Sequence, residues 1–289
     1  MPRRIAGRAS AFSSEFKMPE LPEVEEVRRT LEPVVIGAVV MRVRLVRRDY
    51  LTPPRAPLVR LNGRTVVATH RHGKKLFCRC DDGQTLMFHL GMSGRLESFP
   101  SHLPLPPHTH FIIDLNSGLQ IRMRDPRRFG GVWYYPSFEK ACAAEIQGVL
   151  GVDALHLTAA HFNHWSTAHG RLKARLLGQR DVAGLGNIYV DEALWLCGLS
   201  PLTLVRRLSS QKIEQLVKAI HLVLRKSLSA GGTTLRDYRN AAGQPGGFAA
   251  SLQVYGRGGR PCFRCGDNLK MLVVAGRTTV YCPHCQKSR

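Results

Sequence analysis

The sequence predicts an α+β protein with several domains, because three different patterns follow one another along its 289 residues. Residues 18–148 hold one early helical pattern and then several strand patterns, residues 149–250 turn helical, and residues 251–289 carry two Cys-x-x-Cys pairs. Strands and helices that are grouped rather than interleaved favour separate domains. We therefore predict an N-terminal β-sandwich with flanking helices, a helical domain and a small C-terminal β-hairpin.

Residues 1–17 are basic, rich in serine and without clear periodicity. We expect them to be a disordered extension, a vector-derived segment, or a segment upstream of a true translation start at Met18. The next segment, Met18–Glu25, reads MPELPEVE and predicts the start of a helix. Pro22 suits a first helical turn, the acidic residues complement the helix dipole, and apolar residues recur at helical spacing afterwards.

The same segment holds a candidate nucleophile. Removal of Met18 leaves Pro19 as a free secondary amine. An α-amino group has a reference pKa of about 7.7–8.0, against about 10.4 for lysine, so much more of it is unprotonated at neutral pH. Glu20 is the neighbouring residue that can donate or accept the proton when an amine attacks a sugar. Helix and nucleophile are compatible, because the helix then fixes the direction of the amine.

The rest of the first domain is predicted to form strands. Residues 39–46 alternate apolar and polar side chains, which predicts a half-buried strand. Residues 65–80 predict two strands around a turn at His72-Gly73, and residues 111–135 repeat that pattern around residues 116–118. Lys74 follows the first of these turns, where a lone lysine is usually a solvated charge.

The middle of the chain predicts helices. Apolar residues from Ile213 to Leu224 recur at helical spacing, and Gly231-Gly232 closes that helix. A glycine-rich turn over residues 181–187 leads into a helix from Ile188 to about Cys197. The turn lacks the third glycine of a dinucleotide loop, but its backbone N–H groups can still face a phosphate. Asn187 is also a candidate N-cap.

The C-terminal cysteines predict a metal site. Sixteen residues separate one pair from the other, which leaves room for a β-hairpin. Four thiolates saturate a tetrahedral zinc ion and leave no open position, so the site is structural rather than catalytic; redox-active dithiols are the alternative. The segment is too small to fold without the metal. The expected ligands are Cys262, Cys265, Cys282 and Cys285.

Composition favours a nucleic-acid partner. The chain has 42 Lys and Arg against 21 Asp and Glu, a net charge of +21, and 44% hydrophobic residues, as a globular protein does. No apolar run has the length of a membrane helix, and no basic amphipathic helix stands out, so we expect no membrane partner. Paired cysteines and the lack of an apolar signal segment before Met18 predict an intracellular protein without disulfides.

Several motifs together resemble the formamidopyrimidine-DNA glycosylase family of bacterial base-excision repair enzymes. The resemblance runs from Met18 to about Lys287, nearly the whole chain. After the MPELPEVE segment, the motifs in order are HLGMSG at 89–94, DPRRFG at 125–130, AGLGNIYVDE at 183–192, GGTTLRDY at 231–238 and the four cysteines.

This resemblance implies a fold and a set of site residues. It makes the middle domain a helix-two-turn-helix domain, the tail a zinc finger and the glycine-rich residues 231–250 a mobile loop over the damaged base. It makes Pro19 the nucleophile and Glu20 its proton-transfer partner. Lys74 and Asn187 match phosphate-contacting residues of the catalytic site. Arg277 matches an arginine that grips the DNA backbone, although a hairpin arginine is otherwise a solvated charge.

The resemblance also implies that Met92, Arg127 and Phe129 fill the gap left by an extruded base. Apolar wedges replace lost stacking, and a guanidinium can hydrogen-bond the orphaned base. By composition alone, Met92 and Phe129 are more typical of a core.

By this resemblance the protein removes oxidised purines, such as 8-oxoguanine and formamidopyrimidines, from double-stranded DNA. It then cleaves the abasic site by β,δ-elimination through a Schiff base, as a cytoplasmic monomer with one structural zinc and no nucleotide or redox cofactor. Two alternatives stay open at this point. One is an endonuclease VIII-like enzyme for oxidised pyrimidines. The other is a non-catalytic zinc-finger DNA-binding protein, which follows if residues 1–17 are retained and keep Pro19 in an amide bond.

Overall fold

The computed structural model describes residues 18–235 and 238–287. The expected extension over residues 1–17 therefore lies outside the described residues, as do residues 236 and 237 of the predicted covering loop. In the described part of the chain, no helix combines the length and the apolar character needed to cross a membrane.

The N-terminal part is a helix followed by two antiparallel-rich sheets, as predicted. Helix α1 (Leu21–Val35) begins at the MPELPEVE segment. The strands are β1 (Val40–Leu45), β2 (Leu51–Thr52), β3 (Val66–His72), β4 (Lys75–Cys80), β5 (Thr85–His89), β6 (Arg95–Pro100), β7 (Thr109–Leu115), β8 (Leu119–Arg124) and β9 (Gly131–Tyr135). One sheet has the order β1-β7-β8-β6 and the other β2-β9-β5-β4-β3. Helix α2 (Phe138–Glu145) follows.

The two sheets share one core, which makes this part a β-sandwich. Phe88 of one sheet meets Phe111 of the other edge to face, with ring centroids 6.1 Å apart, and neither side chain is exposed. Val27 and Leu31 of α1 are fully buried in the same core. The sandwich therefore holds α1, and with it residues 18–20 that lead into the helix, by close packing.

Residues 111–135 were predicted to form one pair of strands, but they form three strands. The turn at residues 116–118 is present, but the second segment splits into β8 and β9, which belong to different sheets. Pro126 cannot donate to a strand ladder, and Arg128 adopts φ +55°, so residues 125–130 leave the sheet as a loop. This loop carries Arg127 and Phe129.

The helical part packs around a second core. A short parallel pair joins β10 (Val152–Asp153) to β11 (Val182–Ala183), and the helices are α3 (Leu172–Leu177), α4 (Asn187–Leu196) and α5 (Ser210–Ser229). Leu21 of α1 is fully buried in this core rather than in the sandwich core. The start of α1 is therefore held between the two domains.

Helix α4 corrects one alternative for Asn187. The helix begins at Asn187, and Gly186 is its N-cap, so Asn187 is not the capping residue. The C-terminal unit is the expected hairpin, with β12 (Lys270–Val274) paired antiparallel to β13 (Arg277–Tyr281). The turn residues Ala275 and Gly276 both have positive φ, at 49° and 70°, as a two-residue type I′ hairpin turn requires. The domain boundaries at 148 and 250 stay a prediction.

Candidate active site and DNA interface

A cleft of about 970 Å³ lies where the sandwich, the helical domain and the hairpin meet. It is lined by five of the residues singled out from the sequence: Glu20, Lys74, Met92, Asn187 and Arg277. Met18 also lines it, so the peptide bond before Pro19 lies at the cleft. His89 and Tyr255 line the cleft too, and sequence reasoning did not single them out as individual residues. Although His89 begins the HLGMSG motif, only the fold shows that it faces this space.

The Glu20 carboxylate is held by the N-terminus of α4. It accepts hydrogen bonds from the backbone N–H groups of Gly186 at 2.6 Å and Ile188 at 2.9 Å. A Cβ atom on Gly186 would lie 2.3 Å from Glu20 Cδ, so only glycine allows this approach. The side chain is 3% exposed. Burial raises the pKa of Glu20 to about 7, although the Lys74 cation lowers it.

Glu23 fixes the backbone around Glu20, a role that its helix-dipole interpretation did not anticipate. Its Oε2 accepts from the Glu20 N–H at 2.9 Å, and its Oε1 accepts from the Thr233 N–H at 2.8 Å. The Tyr189 hydroxyl also donates to Glu23 Oε1. Glu23 therefore joins the N-terminal segment to α4 and to the start of the loop at residues 231–250.

The turn that carries Lys74 is clamped from both sides. Asp153 Oδ2 accepts from the Gly73 N–H at 2.8 Å, while Arg71 donates to the Gly73 carbonyl at 3.0 Å. Arg71 also forms a two-pronged ion pair with Asp153 and donates to Glu25 at 2.9 Å, with its side chain only 5% exposed. The turn is thus fixed to both domains, which gives the Lys74 side chain a defined starting point in the cleft.

The two adjacent lysines are distinguished by their partners. Lys75 is bonded to the Glu145 carboxylate and carbonyl. Lys74 lines the cleft, where burial lowers its pKa and the nearby Glu20 carboxylate opposes that effect. Both lysines line the cleft, but the Lys75 ammonium is engaged by Glu145, whereas the Lys74 ammonium lies near the Glu20 carboxylate.

Asn187 and the hairpin are held against each other. Asn187 Nδ2 donates to the Thr278 carbonyl at 2.8 Å, and an amide nitrogen has a second hydrogen for another acceptor. Asp191 accepts from Lys173 at 2.6 Å and from the Val280 N–H at 3.0 Å. These contacts orient β13, whose first residue is the exposed Arg277.

Two neighbouring loops present the three candidate wedge residues. Phe129 is 52% exposed, so it is not the core residue that its composition suggests. The Arg127 guanidinium carbon lies 4.7 Å from the centre of the Phe129 ring. Met92 is half-buried and lines the cleft. Arg127 and Phe129 lie in the adjacent loop and do not line the cleft.

The four cysteines of the hairpin unit fit one structural zinc ion. Their Sγ atoms all lie within 4.8 Å of one another, close enough for a tetrahedral site with Zn–S bonds of about 2.3 Å. The Trp195 indole N–H donates to Cys262 Sγ at 3.3 Å, and the Cys285 N–H donates to Cys282 Sγ at 3.4 Å. Such donors orient metal-bound thiolates. Outside this cluster, Cys78 and Cys80 are buried.

Three family models match the chain in the order of its domains. They are the formamidopyrimidine-DNA glycosylase N-terminal domain over residues 18–132, its H2TH domain over residues 150–239, and the zinc finger found in FPG and IleRS over residues 259–287. Fold and site thus define a protein with a β-sandwich, a helix-two-turn-helix domain and a zinc finger around one cleft.

Similar proteins agree with these matches over nearly the whole chain. The formamidopyrimidine-DNA glycosylase of Rhizorhabdus wittichii is 42% identical over 93% of this chain and 100% of its own length. The MutM (Fpg) crystal structure from Thermus thermophilus is 36% identical, with a TM-score of 0.83 over 94% of this chain and 100% of its own. Lactococcus lactis Fpg in complex with abasic-site DNA is 32% identical, with a TM-score of 0.86 over 93% and 100%.

The chain belongs to the formamidopyrimidine-DNA glycosylase family. This membership confirms the resemblance seen in the motifs. Membership of this family does not favour either alternative, the endonuclease VIII-like enzyme or the non-catalytic zinc-finger DNA-binding protein.

Proposed function

We propose that this protein is a base-excision repair enzyme that removes oxidised purines from duplex DNA and then cleaves the abasic site. One observation supports this most strongly: the residue after Pro19 is a buried carboxylate cradled by a helix N-terminus, in a cleft that also presents Lys74 and Arg277. A secondary amine, a proton-transfer group and cations for a polyanion are what a Schiff-base enzyme on DNA requires. The Lactococcus lactis relative bound to Fapy-dG containing DNA supports the substrate class.

In the proposed reaction, the Pro19 nitrogen forms a bond to C1′ of a flipped nucleotide, and the bond from C1′ to the base breaks. Glu20 transfers a proton to the ring oxygen as the sugar opens. The resulting iminium cannot lose its charge by shedding a proton from nitrogen, because the amine was secondary. It therefore accepts electrons when C2′ loses a proton, and the bond from C3′ to the 3′ phosphate oxygen breaks. Loss of a proton from C4′ then drives the second elimination, in which the bond from C5′ to the 5′ phosphate oxygen breaks.

The remaining residues hold the DNA in this proposal. Lys74, Asn187 and Arg277 contact phosphates beside the flipped nucleotide, while Met92, Arg127 and Phe129 occupy the gap in the duplex. Structural zinc supplies no chemistry and keeps Arg277 in place through the hairpin. We place this activity on DNA in the bacterial cytoplasm, with the protein acting as a monomer.

The test is the product of the reaction. Duplex DNA with one 8-oxoguanine or formamidopyrimidine should release the free base and give a one-nucleotide gap with phosphate at both ends. Faster release of an oxidised pyrimidine such as thymine glycol would contradict the proposed substrate class. Binding of damaged DNA without any base release would contradict the proposed chemistry.

We expect a bell-shaped dependence of kcat/KM on pH. The amine attacks only when unprotonated, so activity rises as pH increases toward about 7.7–8.0, the reference range for an α-amino group. Glu20 donates its proton only while protonated, and its pKa is about 7, so activity falls as pH rises above that value. Base release at low DNA concentration, followed from mildly acidic to mildly alkaline pH, measures both limbs. Glu20→Asp should shift the alkaline limb, and an unshifted limb would assign it to another group.

Lys74→Ala and Arg277→Ala are each expected to weaken DNA binding and to flatten its salt dependence. Each lost phosphate contact should reduce the slope of log K against log salt by about 0.9. Titrations of abasic-analogue DNA over a series of salt concentrations give the slope. Lys218→Ala removes the same charge from an exposed position on α5 and serves as the control. Wild-type slopes in both cleft variants would remove these residues from the phosphate interface.

A further inference from the structure

One buried carboxylate joins the two loops that present the wedge residues. Asp125 is 0% exposed at the start of the loop over residues 125–130. Its Oδ1 accepts from the Ser93 hydroxyl, which belongs to the loop carrying Met92. Its Oδ2 accepts from the Gly130 N–H at 2.8 Å, so the same carboxylate also closes its own loop.

Ser93 completes the connection in the other direction. Its Oγ accepts from the Arg127 N–H at 3.2 Å, while its hydroxyl donates to Asp125. Ser93 therefore touches both the carboxylate that anchors the second loop and the backbone of the residue expected to meet the orphaned base. A single hydroxyl therefore bonds to two residues of the second loop, Asp125 and Arg127, from a position next to Met92.

The sandwich core holds this carboxylate in place. The Tyr50 hydroxyl donates to Asp125 Oδ2 at 3.1 Å, and Tyr50 is only 3% exposed. Burial and the Asp125 charge raise the pKa of Tyr50, so it stays a donor at neutral pH. His110 Nε2 lies 2.9 Å from the Asp125 carbonyl oxygen. Tyr50 and His110, which hold Asp125 in place, do not themselves line the cleft.

Backbone packing makes the two loops one unit. A Cβ atom on Gly91 would lie 2.4 Å from Gly130 N and 2.4 Å from Phe129 C. No other residue type fits there, because Gly91 also has a positive φ of 60°. The loops are in direct contact, and the Ser93–Asp125 hydrogen bond joins them at a second place.

We propose that Ser93 and Asp125 are positioning residues that align Met92 with Arg127 and Phe129, and that they thereby set how strongly the enzyme distinguishes the base opposite the lesion. The inference rests on the proposed function. Recognition of a base edge requires the reading group to be held within about 0.5 Å. A looser link therefore reduces discrimination between opposite bases, whereas the bond-breaking steps at Pro19 and Glu20 stay intact.

The test compares wild type, Ser93→Ala and Ser93→Thr. The substrates are 8-oxoguanine opposite cytosine, 8-oxoguanine opposite adenine, and a single-stranded abasic oligonucleotide that has no opposite base. In Ser93→Ala we expect the ratio of kcat/KM between the two duplexes to move toward one by about fivefold or more, because the hydroxyl makes two hydrogen bonds and the loss of each is worth a factor of about two to ten. Cleavage of the single strand should stay at the wild-type rate. Ser93→Thr keeps the hydroxyl and should restore the ratio.

The controls distinguish failure of this positioning role from failure of the proposed function. Ser166→Ala removes an exposed serine hydroxyl elsewhere and should leave all three rates unchanged. Asp125→Asn, checked for folding by thermal melting, should lower the ratio as Ser93→Ala does. An unchanged ratio in Ser93→Ala, or an equal loss on all three substrates, overturns the positioning role. Wild-type protein without base release contradicts the proposed function instead.

Discussion

A form of the protein that begins at Pro19 is expected to give a borohydride-trapped covalent complex with DNA containing 8-oxoguanine, and a form that retains residues 1–17 is expected to give none. In the retained form the Pro19 nitrogen is an amide, and its lone pair is delocalised into the carbonyl. Loss of a nucleophile costs on the order of 10³-fold or more in covalent enzymes. The trapped fraction on a denaturing gel gives the result.

The position of Met18 makes the two forms directly comparable. Met18 lines the cleft, so the amide bond that would block the Pro19 nitrogen lies beside the position proposed for the sugar. A second terminal proline, at Pro2, does not replace Pro19, because Arg3 follows it where the mechanism needs a carboxylate. Pro19→Gly with a free terminus is the matched control, since it keeps an amine at the same place and should still be trapped. Equal trapping by the retained form, with its mass confirmed, would refute the proposed nucleophile and point to Lys74.

Features encoded over a few residues were predictable from the sequence. The zinc cluster follows from the spacing of Cys262, Cys265, Cys282 and Cys285, and α1 follows from its proline and acidic start. The β3–β4 turn was found because glycine marks it, and Gly73 adopts φ 57° there. Each of these features depends on the conformation of a short segment, which the residues of that segment largely determine.

Contacts between distant segments were not predictable in the same way. The Glu20 carboxylate is bonded to Gly186, and periodicity does not show that these residues meet. The clamp of Arg71 and Asp153 around the Lys74 turn depends on how two domains pack. Motif resemblance indicated which residues share the cleft, but the bonds that orient them required the fold.

Phe129 shows where composition misleads. By composition a phenylalanine is more typical of a core, yet Phe129 is 52% exposed beside Arg127. Single exposed apolar side chains are common on protein surfaces, and it is the motif match and the neighbouring Arg127 that favour a role in binding for Phe129. The proposed wedge gives that exposure a purpose, because a stacked base covers the ring when DNA is bound.

Removal of zinc, or Cys282→Ser, is expected to unfold the hairpin unit and to abolish tight binding of damaged DNA. The buried core of this unit is small, with Trp195, Val254, Leu269 and Val280 packed around Cys262 and Cys282. Zinc contributes about 10–16 kcal/mol to folding in comparable fingers, more than so few apolar residues replace. Arg277 begins β13, so it loses its position at the cleft when the hairpin melts.

Trp195 reports directly on this unfolding. Its indole N–H donates to Cys262, and its ring lies 4.3 Å from the Arg264 guanidinium carbon, so its fluorescence should change when the unit opens. Binding to abasic-analogue DNA, measured in parallel, should fall with the same chelator dependence and return when zinc is restored. Cys142→Ser changes a half-buried cysteine outside the cluster and should alter neither signal. Four cysteines leave zinc no open coordination position, and in the proposed chemistry zinc touches no reacting atom, so its role is to hold the hairpin unit folded. Full DNA binding by protein proven metal-free would refute that role.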